Sequence, residues 1–251
     1  MRLKNKTVIV TGAGSGLGKA TALLSAEEGA NLILADIRAE SLESVKAEIA
    51  GVGGRAATVS VDVCRSDSID DMLGKAVADF GQVDCLVNCA GVFSSIPLLE
   101  MREEDFDRMT DINLKGSFLC SQAFIRQLIA QDSGGAIVFL SSISGYIGFA
   151  NSAHYCASKG AIRQLSKAIA LEFGPRRIRS NVVAPGTIET PMNQWIIDDP
   201  DRYAQSVSSI PLGRLGKASE IASAIVFLLS EDASFCTGSE LVVDGGQITH
   251  C

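Results

Sequence analysis

Thr7-Val8-Ile9-Val10-Thr11-Gly12-Ala13-Gly14-Ser15-Gly16-Leu17-Gly18 is the stretch that decides the fold. The short apolar run Val8-Ile9-Val10 reads as a strand buried on both faces. It enters a glycine turn, and a helix follows with Leu17, Thr21 and Leu24 on one face. Strand, turn and helix N-terminus together make an anion site. Backbone N–H groups and the helix dipole face a pyrophosphate, and missing side chains let the backbone come close. Gly12, Gly16 and Gly18 give the spacing Gly-x-x-x-Gly-x-Gly. It is not Gly-x-Gly-x-x-Gly, because Leu17 occupies the last position of that form. A plain glycine-rich turn has the same composition, but the strand before it and the helix after it favour a dinucleotide.

The rhythm set by this unit continues along the chain. Apolar strands are expected at 7–11, 31–36, 56–61, 83–88, 136–141, 179–184 and 240–243, and helices at 16–28, 39–51, 66–80, 102–131, 153–173 and 218–230. Regular alternation implies crossover units and a parallel sheet. The expected fold is a single doubly wound, Rossmann-type α/β domain over 1–251, with a parallel sheet of about seven strands and helices on both faces. Residues 1–90 would form the cofactor half, and 91–251 the catalytic and substrate half. One segment breaks the rhythm. Residues 187–214 hold Pro191, Pro200, Pro211, the only tryptophan (Trp195) and Asp198-Asp199-Pro200-Asp201. So long a connection reads as a lid over a binding site, with a surface insertion as the bland alternative.

Composition excludes several function classes. The net charge of −7 leaves no basic stripe for nucleic acid. No apolar run approaches ~20 residues, so no membrane span is expected. Met1 to Lys6 lead straight into the first strand without a signal-peptide pattern, which points to the cytoplasm. Seven cysteines, an odd number without a Cys-x-x-Cys pair, read as free thiols in a reducing compartment. Two histidines, His154 and His250, are too few for a zinc site, so no metal is expected.

Strand ends carry the next signals. The second strand ends in Asp36, followed by Ile37; a carboxylate there can accept from a ribose 2′-OH and repels a 2′-phosphate. With no basic residue in the glycine turn, NAD(H) is expected over NADP(H), although Arg38 lies nearby. The third strand runs into Asp62 and Val63, and the fourth into Asn88-Cys89-Ala90-Gly91. Small residues at that edge suit the approach of a flat ligand. Further on, Tyr155 and Lys159 share a helix face four residues apart. Free tyrosine is a poor base below about pH 10, and a nearby ammonium favours its phenolate. The pair is an acid/base device in waiting, or a surface pair if nothing else converges on it.

These residues converge on a known pattern. Thr11-Gly12-x-x-x-Gly16-x-Gly18, Asp62-Val63, Asn88-x-Ala90-Gly91, Asn113, Ser142, Tyr155-x-x-x-Lys159 and Pro185-Gly186 resemble the short-chain dehydrogenase/reductase family over nearly the whole chain. Cys89 departs from it, standing where a second Asn is usual. The resemblance implies Tyr155 as general acid/base and Lys159 as the group that lowers its pKa and binds the nicotinamide ribose. It implies Ser142 on the substrate oxygen and Asn113 holding a water that relays protons to Lys159. Ser141 and Ser144 are open alternatives by position alone; the family spacing selects Ser142. Cofactor contacts are implied for Gly12, Ser15, Gly16, Leu17, Gly18, Asp36, Ile37, Asp62, Val63, Asn88, Ala90, Gly91, Pro185, Gly186, Ile188 and Thr190, besides Tyr155 and Lys159.

The expected activity is an NAD(H)-dependent interconversion of a secondary alcohol and a ketone. The pocket wall is expected from Phe93, Ser144, Tyr146, Phe149, Met192 and Trp195, mostly apolar with a few polar handles. Alternatives are a 3-oxoacyl-(acyl-carrier-protein) reductase-like enzyme, a sugar or polyol dehydrogenase, and an idle NAD(H)-sensing or scaffold protein. The family resemblance also implies a homotetramer, with the tail 247–251 reaching a neighbouring subunit.

Overall fold

The protein is described by a computed structural model covering residues 1–249. His250 and Cys251, the end of the tail expected to reach a neighbour, lie outside the described residues. The chain runs β1 (Thr7–Thr11), α1 (Gly16–Glu27), β2 (Asn31–Asp36), α2 (Ala39–Gly51), β3 (Arg55–Ser60), α3 (Ser66–Phe80) and β4 (Cys85–Asn88). It continues through α4 (Glu103–Thr110), α5 (Gly116–Ala130), β5 (Gly135–Leu140), α6 (Ala153–Phe173) and β6 (Ile178–Pro185). The remainder is β7 (Ile188–Glu189), α7 (Gln194–Ile197), α8 (Pro200–Ser208), β8 (Gly216–Lys217), α9 (Ala218–Leu229) and β9 (Glu240–Val243).

Seven strands form one parallel sheet in the order β3-β2-β1-β4-β5-β6-β9. The apolar runs explain it. Each strand's alternate residues feed two cores, one on each face. Val8, Val10, Leu32 and Leu34 pack under α1, α2 and α9, while Ile9 and Ile33 pack under α3, α5 and α6. The chain winds outward through β2 and β3, then returns to place β4 on the other side of β1. That reversal opens a crevice at the C-terminal ends of β1 and β4, where sheets of this type bind ligands.

Two departures from the sequence reading bear on function. The helix expected over 102–131 is interrupted by a π-helical turn at Asp111–Lys115 between α4 and α5. A single extra residue in the turn breaks no apolar periodicity strongly enough to be read, yet such turns gather at functional sites. Here it carries Asn113, which is fully buried.

The expected lid loop is also more ordered than a loop. Ile188 and Glu189 pair in parallel with Gly216 and Lys217, and α7 and α8 lie between these strands. The acidic run explains the start of α8. Asp199 accepts from the N–H groups of Asp201 and Arg202 at 3.0 and 3.2 Å, with Pro200 in the first turn.

Candidate active site

The glycine turn is shaped by close backbone approach. Gly12 holds a φ of +67°, and a Cβ there would meet the backbone nitrogen of Ala90 at 2.9 Å. A Cβ on Gly18 would collide with the carbonyl oxygen of Gly12, so only glycine lets α1 sit this close to β1. Thr11 fastens the turn to β4: its Oγ1 donates to Val87 O and accepts from the N–H groups of Cys89 and Ala90, both at 3.2 Å. Ser15 precedes α1 in extended backbone, but its side chain does not cap the helix, and no acidic residue lies in the first turn. The first-turn N–H donors of α1 thus face the crevice without a side-chain partner. A cradle of this kind fits the pyrophosphate of a dinucleotide.

The crevice has a volume of about 400 Å³. Gly12, Ser15, Gly16, Leu17 and Gly18 line it from the turn. Asp36 and Ile37 line it from the end of β2, Asp62 and Val63 from beyond β3, and Ala90 and Gly91 from beyond β4. Tyr155, Lys159, Thr190 and Met192 close it from the other half of the chain. Asp36 is buried, and its carboxylate accepts from the N–H groups of Gly14 at 3.1 Å and Arg38 at 3.0 Å.

Other expected contacts lie behind this surface. Asn88 is buried below the crevice and donates to Ser121 Oγ at 3.1 Å. Pro185 completes β6, Gly186 packs against Asp244, and Ile188 turns into the core, where its carbonyl accepts from Asn193 Nδ2 at 2.8 Å. These residues shape the crevice from beneath rather than lining it.

At the chemical end, Tyr155 and Lys159 project from the first two turns of α6 and are both buried. Position alone left three serines open, and their bonds separate them. Ser141 Oγ donates to Lys159 O at 2.8 Å, a structural tie between β5 and α6. Ser142 lies close enough to Tyr155 to pull the phenol's pKa down, and its Oγ donates to Ser144 Oγ at 3.2 Å and accepts from Ser144 N–H.

Burial pushes the Tyr155 phenol up to about 12, with the Ser142 hydrogen bond pulling weakly the other way. Burial also brings Lys159 down to about 8. Its Nζ donates to Leu140 O at 2.9 Å and stands 5.6 Å from the centre of the Tyr155 ring. In the free protein desolvation is the leading influence on both groups, and the ammonium faces a backbone carbonyl.

Asn113 is engaged with the backbone of the loop that follows β4. Its Oδ1 accepts from Val92 N–H at 2.8 Å while its Nδ2 donates to Val92 O at 3.0 Å. The side chain clamps the peptide of Val92 beside Gly91, where a Cβ would meet Asn113 Oδ1 at 3.2 Å and Lys159 Nζ at 3.7 Å.

Of the expected substrate wall only Met192 lines the crevice, and the other five residues divide by their contacts. Phe93 meets Tyr155 edge to face, with ring centroids 5.1 Å apart, and stacks on Trp195 at 6.4 Å. Ser144 is held by Ser142. Tyr146 turns away: its hydroxyl donates to Glu240 on β9, and Arg163 covers its ring. Phe149 is solvent-exposed and does not line the crevice. Residues absent from the expected set also line it, among them Cys89, Val92, Arg108 and Ile112. Arg108 and Ile112 are four apart just ahead of Asn113, a spacing that puts both on one helix face and was there to be read. Arg38 lines the same end, its Nη2 donating to Ser15 Oγ at 3.2 Å.

The same architecture recurs in known proteins. Residues 12–247 match the family model described as enoyl-(acyl carrier protein) reductase. The chain is 41% identical over 249 residues to a 3-oxoacyl-(acyl-carrier-protein) reductase of Thermotoga maritima, covering 99% of this chain and 100% of that protein. It is 40% identical over 251 residues to an L-rhamnose 1-dehydrogenase (NAD(P)(+)) of Azotobacter vinelandii, covering 98% of each. Among solved structures, a short-chain type dehydrogenase/reductase from Mycobacterium marinum superposes with a TM-score of 0.94 at 39% identity, covering 98% of this chain and 96% of that one.

Proposed function

Because this chain belongs to the short-chain dehydrogenase/reductase family, we propose that it is an NAD(H)-dependent oxidoreductase that interconverts a secondary alcohol and a ketone. The observation that carries this reading is that Tyr155, with Ser142 close by, shares one crevice with the glycine cradle. A bound nicotinamide dinucleotide supplies the hydride acceptor or donor. Tyr155 exchanges the proton of the substrate oxygen, and Ser142 steadies that oxygen by hydrogen bonding. Lys159 and Thr190 hold the nicotinamide end, and the α1 N-terminus holds the pyrophosphate.

Asp36 supports NAD(H) as the partner, since its buried carboxylate meets the place of a ribose 2′-OH. Arg38 beside Ser15 favours the second reading, an NADPH-dependent reductase of 3-oxoacyl groups like the Thermotoga relative. The net charge of −7 counts against docking an acidic carrier protein. Initial rates with NADH and NADPH across a panel of ketones and 3-oxoacyl thioesters test the choice. The leading reading expects NADH and simple ketones to be preferred; a many-fold preference for NADPH with thioesters would replace it.

We further infer a cytoplasmic homotetramer. The six cysteines among the described residues are free thiols, which suits a reducing compartment. Exposed Phe106 and Phe118 on α4 and α5, Leu171 on α6, and Phe235 and Leu241 near β9 supply apolar surface for two kinds of contact. Light scattering tests this, with a monomer at micromolar concentration as the contrary result.

A further inference from the structure

Several polar side chains on the catalytic side of the crevice are engaged within the protein, and aromatic surface stands against the ring of Tyr155. Tyr146, expected as a polar handle, gives its hydroxyl to Glu240. Asn193 donates to the carbonyl of Ile188, and His154, next to Tyr155 in the chain, is fully buried and bonded to Ser94 at 2.9 Å. Ser142 and Ser144 bond each other and offer one locus for a single oxygen. Against this, Phe93 lays its ring edge to face with the ring of Tyr155 and is itself stacked by Trp195, which carries Arg202 over its ring at 5.2 Å. An aromatic wall held on two sides therefore stands against the ring of Tyr155.

A polyol or sugar entering beside Tyr155 would strip water from several hydroxyls, and the nearby Ser142, Ser144 and Tyr146 already bond within the protein, a cost of the kind that hydrogen-bond-poor sites impose. A hydrocarbon ring or branch would instead bury its surface against Phe93. Resting on the alcohol–ketone reading above, we propose that the substrate is a compact alicyclic or branched-chain secondary alcohol, or the matching ketone, bearing no further hydroxyl groups, and that Phe93 is the residue that sets this preference. With Phe93 against the Tyr155 ring, a group attached to the carbinol carbon would meet aromatic surface on that side.

The test compares cyclohexanol, isopropanol and sorbitol as substrates of the full-length protein at saturating NAD, with NADH binding followed by fluorescence. Expected is a kcat/KM for cyclohexanol ~100-fold or more above that for sorbitol, since lost hydrogen bonds and lost apolar contact both act against the polyol. Phe93→Ala should cut the cyclohexanol value ~10-fold or more relative to isopropanol, with Phe93→Leu recovering part of it and the NADH dissociation constant unchanged in both variants. Sorbitol oxidised as well as cyclohexanol, or a cyclohexanol-to-isopropanol ratio untouched in Phe93→Ala, would overturn the proposal while leaving the alcohol–ketone reading in place. NADH binding without oxidation of any of the three alcohols would overturn that reading and this proposal with it.

Discussion

The Nζ of Lys159 stands 5.6 Å from the centre of the Tyr155 ring and gives its hydrogen bond to Leu140 O. The two side chains lie one helical turn apart in a desolvated pocket, and burial shifts them in opposite directions. The phenol rises to about 12 and the ammonium falls to about 8. A tyrosine shifted this way keeps its proton near neutrality and is a weak acid, and its phenolate is too scarce to act as a base. Alcohol oxidation therefore requires the positive charge of an oxidised nicotinamide to favour the phenolate. Ultraviolet titration of the phenolate band, with Tyr155→Phe as the blank, should give a lower value in the NAD⁺ complex than in the free protein. An identical value in both would remove the basis for Tyr155 as the base.

Tyr155→Phe deletes one hydroxyl and leaves the ring against Phe93. Turnover should fall by ~10²-fold or more, the usual worth of a positioned proton-transfer group, while NADH binding persists because the glycine cradle is untouched. Wild-type rates in this variant would refute the assignment.

Lys159 is expected to cost stability at neutral pH. It is charged in the unfolded chain up to its ordinary value of 10.5 but only up to about 8 when folded. Between those values the unfolded chain binds more protons, so stability rises as the pH climbs from 8 towards 10.5. Tyr155 acts above that window: with its folded value near 12 against an ordinary 10, stability is lost as the pH rises past 10. Lys159→Met should thus be inactive yet more stable than wild type at pH 7, by roughly 3 kcal/mol at most. The gap should narrow above pH 8, as thermal melts at stepped pH would reveal. A variant less stable at pH 7 would mean that the bond to Leu140 outweighs desolvation.

The sheet was legible because it follows from local patterning. Val8-Ile9-Val10 and Leu32-Ile33-Leu34 are continuous apolar runs, and β1 and β2 begin and end where those runs do. The glycine turn was legible for the same reason, as a strand, turn and helix adjacent in sequence. What escaped reading depends on distant partners. Tyr146 is drawn from the crevice by Glu240, 94 residues away. The charge relation of Tyr155 and Lys159 was read from spacing, but it is set by burial, which the whole fold supplies. The π turn at Asn113 changes helix geometry without disturbing composition.

Asn113 offers a stability test for that turn. Asn113→Ala strands both polar groups of the Val92 peptide, and Asn113→Asp keeps the acceptor for Val92 N–H but loses the donor to Val92 O. The alanine variant should lose about 1–3 kcal/mol and the aspartate variant should lose a part of its carbonyl partner's share. With ~2–4 °C of melting temperature per kcal/mol in a chain of this size, calorimetry resolves both. Equal melting temperatures in all three proteins would show that the clamp contributes nothing.

Cofactor choice turns on two neighbouring side chains at the end of β2. The Asp36 carboxylate holds the Gly14 and Arg38 N–H groups, and Arg38 Nε lies 3.8 Å from Asp36 Oδ1 while its Nη2 reaches Ser15. With Asp36 present, a 2′-phosphate would face a buried anion; without it, the same guanidinium is free to pair with that phosphate. Asp36→Ser should therefore shift the NADPH-to-NADH ratio of kcat/KM upward by ~10-fold or more, about 1.4 kcal/mol. Adding Arg38→Ala should take that gain away, because the phosphate then has no cation opposite it. If Arg38→Ala alone leaves NADPH use unchanged and the double variant keeps the gain, Arg38 has no part in reading the cofactor, and repulsion by Asp36 accounts for the whole preference.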